Sequence, residues 1–168
     1  TYQDNYFGTG LPQRDDNGKD WPLLKPYLAK AAQIKPAPAD IAFARNAFRD
    51  LLSIRASSTL FRLRSTSDIV QRLRFFNTGP RQEPTVLAAW IDGKGYPGAT
   101  FAGISYLVNV DKVAHTVSDA ALRGKRLALH PVHAAPGAAD ERAAQARFDS
   151  ASGSFTVPPR TAVVFVER

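Results

Sequence analysis

Val86-Leu87-Ala88-Ala89-Trp90-Ile91, then Asp92-Gly93-Lys94-Gly95-Tyr96-Pro97-Gly98, then Ile104-Ser105-Tyr106-Leu107-Val108-Asn109-Val110 is an apolar run, a glycine-rich break and a second apolar run. Each run has strand length and is rich in β-branched and aromatic residues, and the break between them carries turn residues. The pattern spreads outward in both directions. Leu73–Phe76 precedes it, and Val113–Val117, Arg126–His130, Ala146–Phe148, Ser154–Val157 and Ala162–Val166 follow. Asn77-Thr78-Gly79-Pro80, Asn109 to Lys112, Gly124, Pro136-Gly137, Ser152-Gly153 and Pro158-Pro159 punctuate the series. Short strands with frequent turn signals predict a mainly β fold, an antiparallel sandwich or barrel. In Arg72-Leu73-Arg74-Phe75 the alternation sets two arginines on one face and two apolar residues on the other.

The texture differs before Arg72. A helix is expected from about Ala39 to Ala56, with Asp40 as N-cap after Pro38. Ile41, Ala44, Phe48, Leu51, Leu52 and Arg55 share one face, and Phe43, Ala47 and Ile54 widen the stripe. A stripe that broad implies burial against more than one neighbour. Ser57-Ser58-Thr59 ends the helix, and Ser67 is expected to cap a brief helix running to Gln71. Residues 1–38 carry Tyr2, Tyr6, Phe7, Leu11, Trp21, Leu23, Leu24, Tyr27 and Leu28 among five prolines. They read as an ordered, extended segment whose aromatic groups need something to pack against.

The absence of Cys excludes disulfides, thiolate nucleophiles and Cys-ligated zinc. No apolar stretch is long enough to cross a membrane as a helix, and no signal peptide is evident. The chain starts at Thr1 and holds no Met, which suggests a fragment or a processed piece. The net charge of +7 comes from dispersed arginines and reads as a solvated surface.

Few constellations point to chemistry. Asp15/Asp16 and Asp140/Glu141 are the candidate carboxylate pairs, but adjacent residues in polar loops do not converge on one substrate. A calcium loop starting at Asp15 fails at Lys19 and Pro26; a looser calcium site there stays open. His130 and His133 have metal-like spacing without a third ligand, and His115 lies apart. No Gly-x-Ser-x-Gly elbow supports a serine hydrolase. Residues 92–98 lack the spacing of a phosphate-binding loop. Arg72, Arg74, Phe75 and Phe76 interleave basic and aromatic groups as nucleic-acid-binding strands do, although half-burial explains them as well. Trp90, Tyr96 and Phe101 flank one loop and offer rings for stacking on sugars, against a packing role for Trp90.

The linear order of motifs says more. Tyr2-Gln3-Asp4-Asn5, Phe7-Gly8, Gly10-Leu11-Pro12, Trp21-Pro22 and Lys25-Pro26 come first. Phe48-Arg49-Asp50-Leu51-Leu52-Ser53-Ile54-Arg55-Ala56-Ser57-Ser58, Leu60-Phe61-Arg62-Leu63, Gln71-Arg72-Leu73 and Phe76-Asn77-Thr78-Gly79-Pro80 follow. Gly124-Lys125, Leu129-His130-Pro131-Val132 and Phe155 to Phe165 complete the series. This order resembles the C-terminal region of pullulanase-type α-1,6-glucosidases and plant limit dextrinases, over essentially the whole chain.

The resemblance implies a parent enzyme of the α-amylase superfamily with a (β/α)8 catalytic barrel. Residues 1–60 would be the barrel's last loop and helix, and residues 61–168 a C-terminal β-sandwich. The catalytic carboxylates would lie upstream, so this chain alone is expected not to be an enzyme. Its role would be to pack on and stabilise the barrel, with the α-glucan reached through the parent. The first loop would lie near the substrate cleft, which makes Asp4, Asn5 and Tyr6 its expected substrate contacts, with Trp90 as a further sugar-stacking candidate. Tyr6 stands where the family usually has a second Asn. No cofactor is expected in the chain itself, and calcium is left to the parent. Neither nucleic acid nor membrane is an expected partner, and faces left without the barrel would be exposed, mispacked or used for self-association. A carbohydrate-binding module and a basic nucleic-acid binder are the alternatives.

Overall fold

The computed structural model describes residues 11–168. The chain divides into two compact units, Thr1–Ala42 and Phe43–Arg168.

In the first unit the described residues form short helices, α1 (Arg14–Asn17), α2 (Trp21–Leu28) and α3 (Ala31–Ile34), with a 3-10 turn at Gly18–Asp20. This corrects the expectation of an extended segment. Prolines commonly interrupt helices, yet Pro22 sits in the first turn of α2, where a missing N–H costs no intrahelical bond. Trp21 Nε1 donates to the Pro12 carbonyl at 2.9 Å. No residue of α1, α2 or α3 is buried.

The long helix α4 (Pro38–Ala56) starts in the first unit and runs into the second. Asp40 is not its N-cap. It lies inside the first turn and its carboxylate accepts the Ala37 N–H at 2.8 Å, the backward half of a capping box. A 3-10 turn (Thr59–Arg62) and α5 (Thr66–Arg72) follow. The cap of α5 is Ser65 rather than Ser67: its hydroxyl accepts the Asp68 N–H at 3.0 Å.

Eight strands make two antiparallel sheets. They are β1 (Leu73–Phe75), β2 (Val86–Asp92), β3 (Gly103–Asn109), β4 (His115–Ser118), β5 (Leu127–Leu129), β6 (Arg147–Asp149), β7 (Ser154–Val157) and β8 (Thr161–Glu167). The larger sheet has the order β1-β2-β3-β8-β5 and the smaller β4-β7-β6. All eight expected strand positions carry a strand, displaced by a residue or two at their ends. A last helical turn, α6 (Pro131–Ala134), follows β5.

The core lies where the sheets face each other. Val86, Ala88 and Trp90 of β2, Leu107 of β3 and Val163 and Phe165 of β8 meet Val117 of β4 and Phe155 and Val157 of β7. Phe155 is the hub, with ring centroids 4.7 Å from Phe148, 5.3 Å from Phe165 and 5.8 Å from Phe76. Asn109 ties this layer together. Its buried amide nitrogen donates to the Val113 carbonyl at 2.8 Å and the Pro158 carbonyl at 3.0 Å, and its Oδ1 accepts the Asp111 N–H at 3.0 Å. A second cluster occupies the opposite face of the larger sheet. Ile91, Ile104, Val164 and Val166 pack there against Ile54 of α4 and Leu60. The continuous apolar run Val163–Val166 follows from this, because β8 is covered on both faces.

Candidate functional site

The most extended feature is apolar. The end of α4 is fastened to the larger sheet by the residues that stop the helix. Ser58 Oγ accepts the N–H groups of Leu60 and Thr100, both at 3.3 Å. Thr100 Oγ1 donates to the Ser57 carbonyl at 2.7 Å, and Thr59 Oγ1 to the Pro97 carbonyl at 2.8 Å. These bonds drive Ile54 and Leu60 onto the sheet and leave the next layer uncovered. A groove of about 490 Å³ opens there, floored by Ile91, Tyr106 and Val164 and walled by Leu51, Leu63 and Ile69. Burial pushes the Tyr106 phenol above its usual range. Arg55 and Arg62 also line the groove. Phe48 (62% exposed), Leu52, Ile69 and Val70 extend the exposed apolar surface along α4 and α5. Large exposed apolar patches of this kind accompany interaction surfaces and ligand grooves, whereas singly scattered apolar residues carry no such signal.

The polar clusters are structural. His130 is 2% exposed. Its Nδ1 accepts the Val132 N–H at 3.2 Å, capping α6, and its Nε2 lies 3.0 Å from Ser57 Oγ. The nitrogen facing Ser57 therefore carries the proton. Ser57 in turn donates to the Ile54 carbonyl at 2.6 Å. A serine activated by a histidine needs the reverse arrangement, with the unprotonated nitrogen toward the hydroxyl. Burial, reinforced by nearby His133, lowers His130 to about 4. Burial also lowers His133, against the pull of Asp140 and Asp50, and His133 Nε2 has no hydrogen-bond partner among the described residues. His115 is held differently. Its Nε2 is 2.8 Å from Asp111 Oδ2 and its Nδ1 3.2 Å from Glu83 Oε2. The hydrogen bond from His115, with the Lys112 N–H second, keeps Asp111 below the usual carboxylate range.

The expected sites are distributed as follows. Asp4, Asn5 and Tyr6 lie outside the described residues. Trp90 is in the core, 7% exposed, with Lys125 Nζ 4.7 Å from its ring centre. Its edge fills the space that a side chain at Gly103 would occupy. Phe101 is buried with its ring against His130, and Arg72 covers the Tyr96 ring at 4.9 Å. None of the three rings stands open for a sugar. Arg72 donates to the carbonyls of Asp92 and Lys94, and Arg74 pairs with Asp119, so both arginines of the basic-aromatic stretch are engaged internally. Asp140 is forked to Arg142, and the His115 ring fills the space between Glu83 and Asp111. Among the described residues no three His, Asp or Glu are placed to hold a metal ion, and no helix is long and apolar enough to cross a membrane. Sequence reasoning missed the pairing of Ser57 with His130 and the guanidinium-edged groove. The only local signal of either was Arg55, set within the apolar stripe of α4.

The family model described as alpha-1,6-glucosidases, pullulanase-type, C-terminal, matches residues 2–168. Pullulanase 1, chloroplastic, of Arabidopsis thaliana is 39% identical over 174 residues, covering 99% of this chain and 18% of that protein. A pullulanase of Klebsiella pneumoniae is 26% identical, over 93% of this chain and 14% of its own length. The chain thus spans less than a fifth of these relatives. Among solved structures, PulA from Klebsiella oxytoca superposes with a TM-score of 0.76 at 22% identity, covering 94% of this chain and 15% of that one. The maltotriose complex of PulA from Klebsiella pneumoniae gives 0.75 at 25% identity, over 94% and 17% of the two chains. With the family model matching residues 2–168 and a relative 39% identical over 99% of the chain, the chain belongs to the family of pullulanase-type α-1,6-glucosidase C-terminal domains.

Proposed function

We propose that this chain is the non-catalytic C-terminal part of a debranching α-1,6-glucan hydrolase, a β-sandwich that packs on the catalytic barrel and stabilises it. In this reading α4 is the last barrel helix, the residues before it are the loop after the eighth barrel strand, and Asp4, Asn5 and Tyr6 are the chain's contacts with the glucan. The parent hydrolyses α-1,6 bonds of pullulan or amylopectin with carboxylates that lie upstream, one as nucleophile and one as general acid. The observation that carries the proposal is the groove beside α4 with its continuation over Phe48 and Leu52, an apolar surface without cover among the described residues, in a chain of this family. The state of the carboxylates supports it. Asp68, Asp119, Asp140 and Glu167 each lie against a cation, an arrangement suited to structure rather than to general acid–base work.

The test is direct. Pure chain incubated with pullulan should release no reducing sugar, while the full-length polypeptide should release it and lose stability when residues 61–168 are deleted. Sugar release by the chain alone, or an unchanged unfolding transition after the deletion, refutes the proposal.

A further inference from the structure

The apolar groove carries two charges that the fold does not use. Arg55, on the last turn of α4, and Arg62, at the end of the following 3-10 turn, both line it and both are exposed. Neither takes part in an ion pair, a hydrogen bond or a ring contact among the described residues, whereas Arg72, Arg74 and Arg142 each pair with a carboxylate. An arginine beside an open groove loses little while water reaches it. Once the groove is covered, an unpaired guanidinium is stripped of water at a cost that apolar contact does not offset. A surface that covers this groove therefore has to bring acceptors to both positions. The planar guanidinium fork favours carboxylates, which it binds with two parallel hydrogen bonds.

Resting on the docking reading above, we propose that the occupant of the groove is a surface of the upstream polypeptide with an apolar ridge and flanking Asp or Glu side chains. The ridge fills the space between Leu51, Leu63 and Ile69, and the carboxylates pair with Arg55 and Arg62. The two positive charges at the groove, with no acidic residue among its lining, match a partner surface of opposite sign. The arginines then set the register of docking, and the apolar wall supplies the driving force.

The experiment uses the full-length polypeptide and the rate of native-state proteolysis, which tracks the undocked population when opening is fast relative to cleavage. Four proteins are compared: wild type, Arg55→Glu/Arg62→Glu, Leu51→Asp, and Arg126→Glu as a single charge reversal at an exposed site outside the groove. The double reversal should raise the cleavage rate by at least about tenfold, as loss of charge-assisted hydrogen bonds at a covered site implies. Leu51→Asp should raise it at any ionic strength, and Arg126→Glu should leave it unchanged. In wild type the rate should climb with salt, and in the double reversal that dependence should shrink or invert. If Leu51→Asp accelerates cleavage while the double reversal does not, the carboxylate pairing is wrong and docking stands. If neither changes the rate, docking through this groove is itself refuted.

Discussion

Acidification from about pH 7 to about pH 5 should cost this fold roughly 2 kcal/mol through a single side chain, His130. The ring is buried and neutral, with Nδ1 accepting from the Val132 N–H and Nε2 donating to Ser57. Burial lowers it from 6.5 to about 4. As pH falls, the unfolded chain binds the proton first. The stabilisation is complete above about 6.5, is withdrawn as pH drops toward about 4, and is gone once the folded ring also protonates. At about pH 5 the unfolded state is favoured by a factor of about 30 relative to high pH, which is the 2 kcal/mol quoted. His133, lowered by its own burial, adds to the loss with the same sign. Urea unfolding at fixed ionic strength across this range reads the effect, with His130→Asn as comparison, since Asn can still cap α6. The variant should be less stable at neutral pH and clearly less sensitive to acid. Parallel stability-versus-pH curves for the two proteins would show that His130 is not the group responsible.

Other substitutions probe the packing. A Cβ at Gly103 would sit 2.0 Å from Trp90 Cη2, so Gly103→Ala should destabilise by about 2 kcal/mol or more in thermal unfolding, with partial recovery when Trp90→Phe is added. Ser65→Ala removes the cap of α5 and should cost about 1 kcal/mol, while Ser67→Ala should cost only a few tenths, by the same measurement. Asn109→Ala leaves the Val113 and Pro158 carbonyls without their donor and should cost about 1–3 kcal/mol, visible as a lower urea midpoint at unchanged slope.

The strands were legible because their signals are local. The apolar runs of β2, β3 and β8 and the turn residues around them need no knowledge of the fold, and each run is a strand; the alternation read over Arg72 to Phe75 holds only in part, since Arg72 ends α5 and Phe75 of β1 is exposed. The helical turns from Arg14 to Ile34 were not legible, because a proline in a first turn and a proline in a loop look alike until the backbone bonds around it are known. The cap of α5 failed for a similar reason: Ser65 and Ser67 are both plausible, and the choice depends on where the chain leaves Leu63. The Ser57–His130 bond joins residues 73 apart and exists only because β5 pairs with β8, which no spacing reveals.

The apolar stripe of α4 shows the limit most clearly. Its breadth pointed to more than one neighbour, and the structure shows one, the larger sheet against Ile54; helical periodicity counts apolar residues without saying which of them a given neighbour covers. Ile54 is 2% exposed because Ser58 and Thr100 pull the helix end onto the sheet, while Phe48 and Leu52, drawn from the same stripe, stay in water. A docking surface and a core are the same pattern in one dimension. Partner geometry separates them, and the proposed docking adds a second criterion, unpaired charge at the edge, here Arg55 and Arg62.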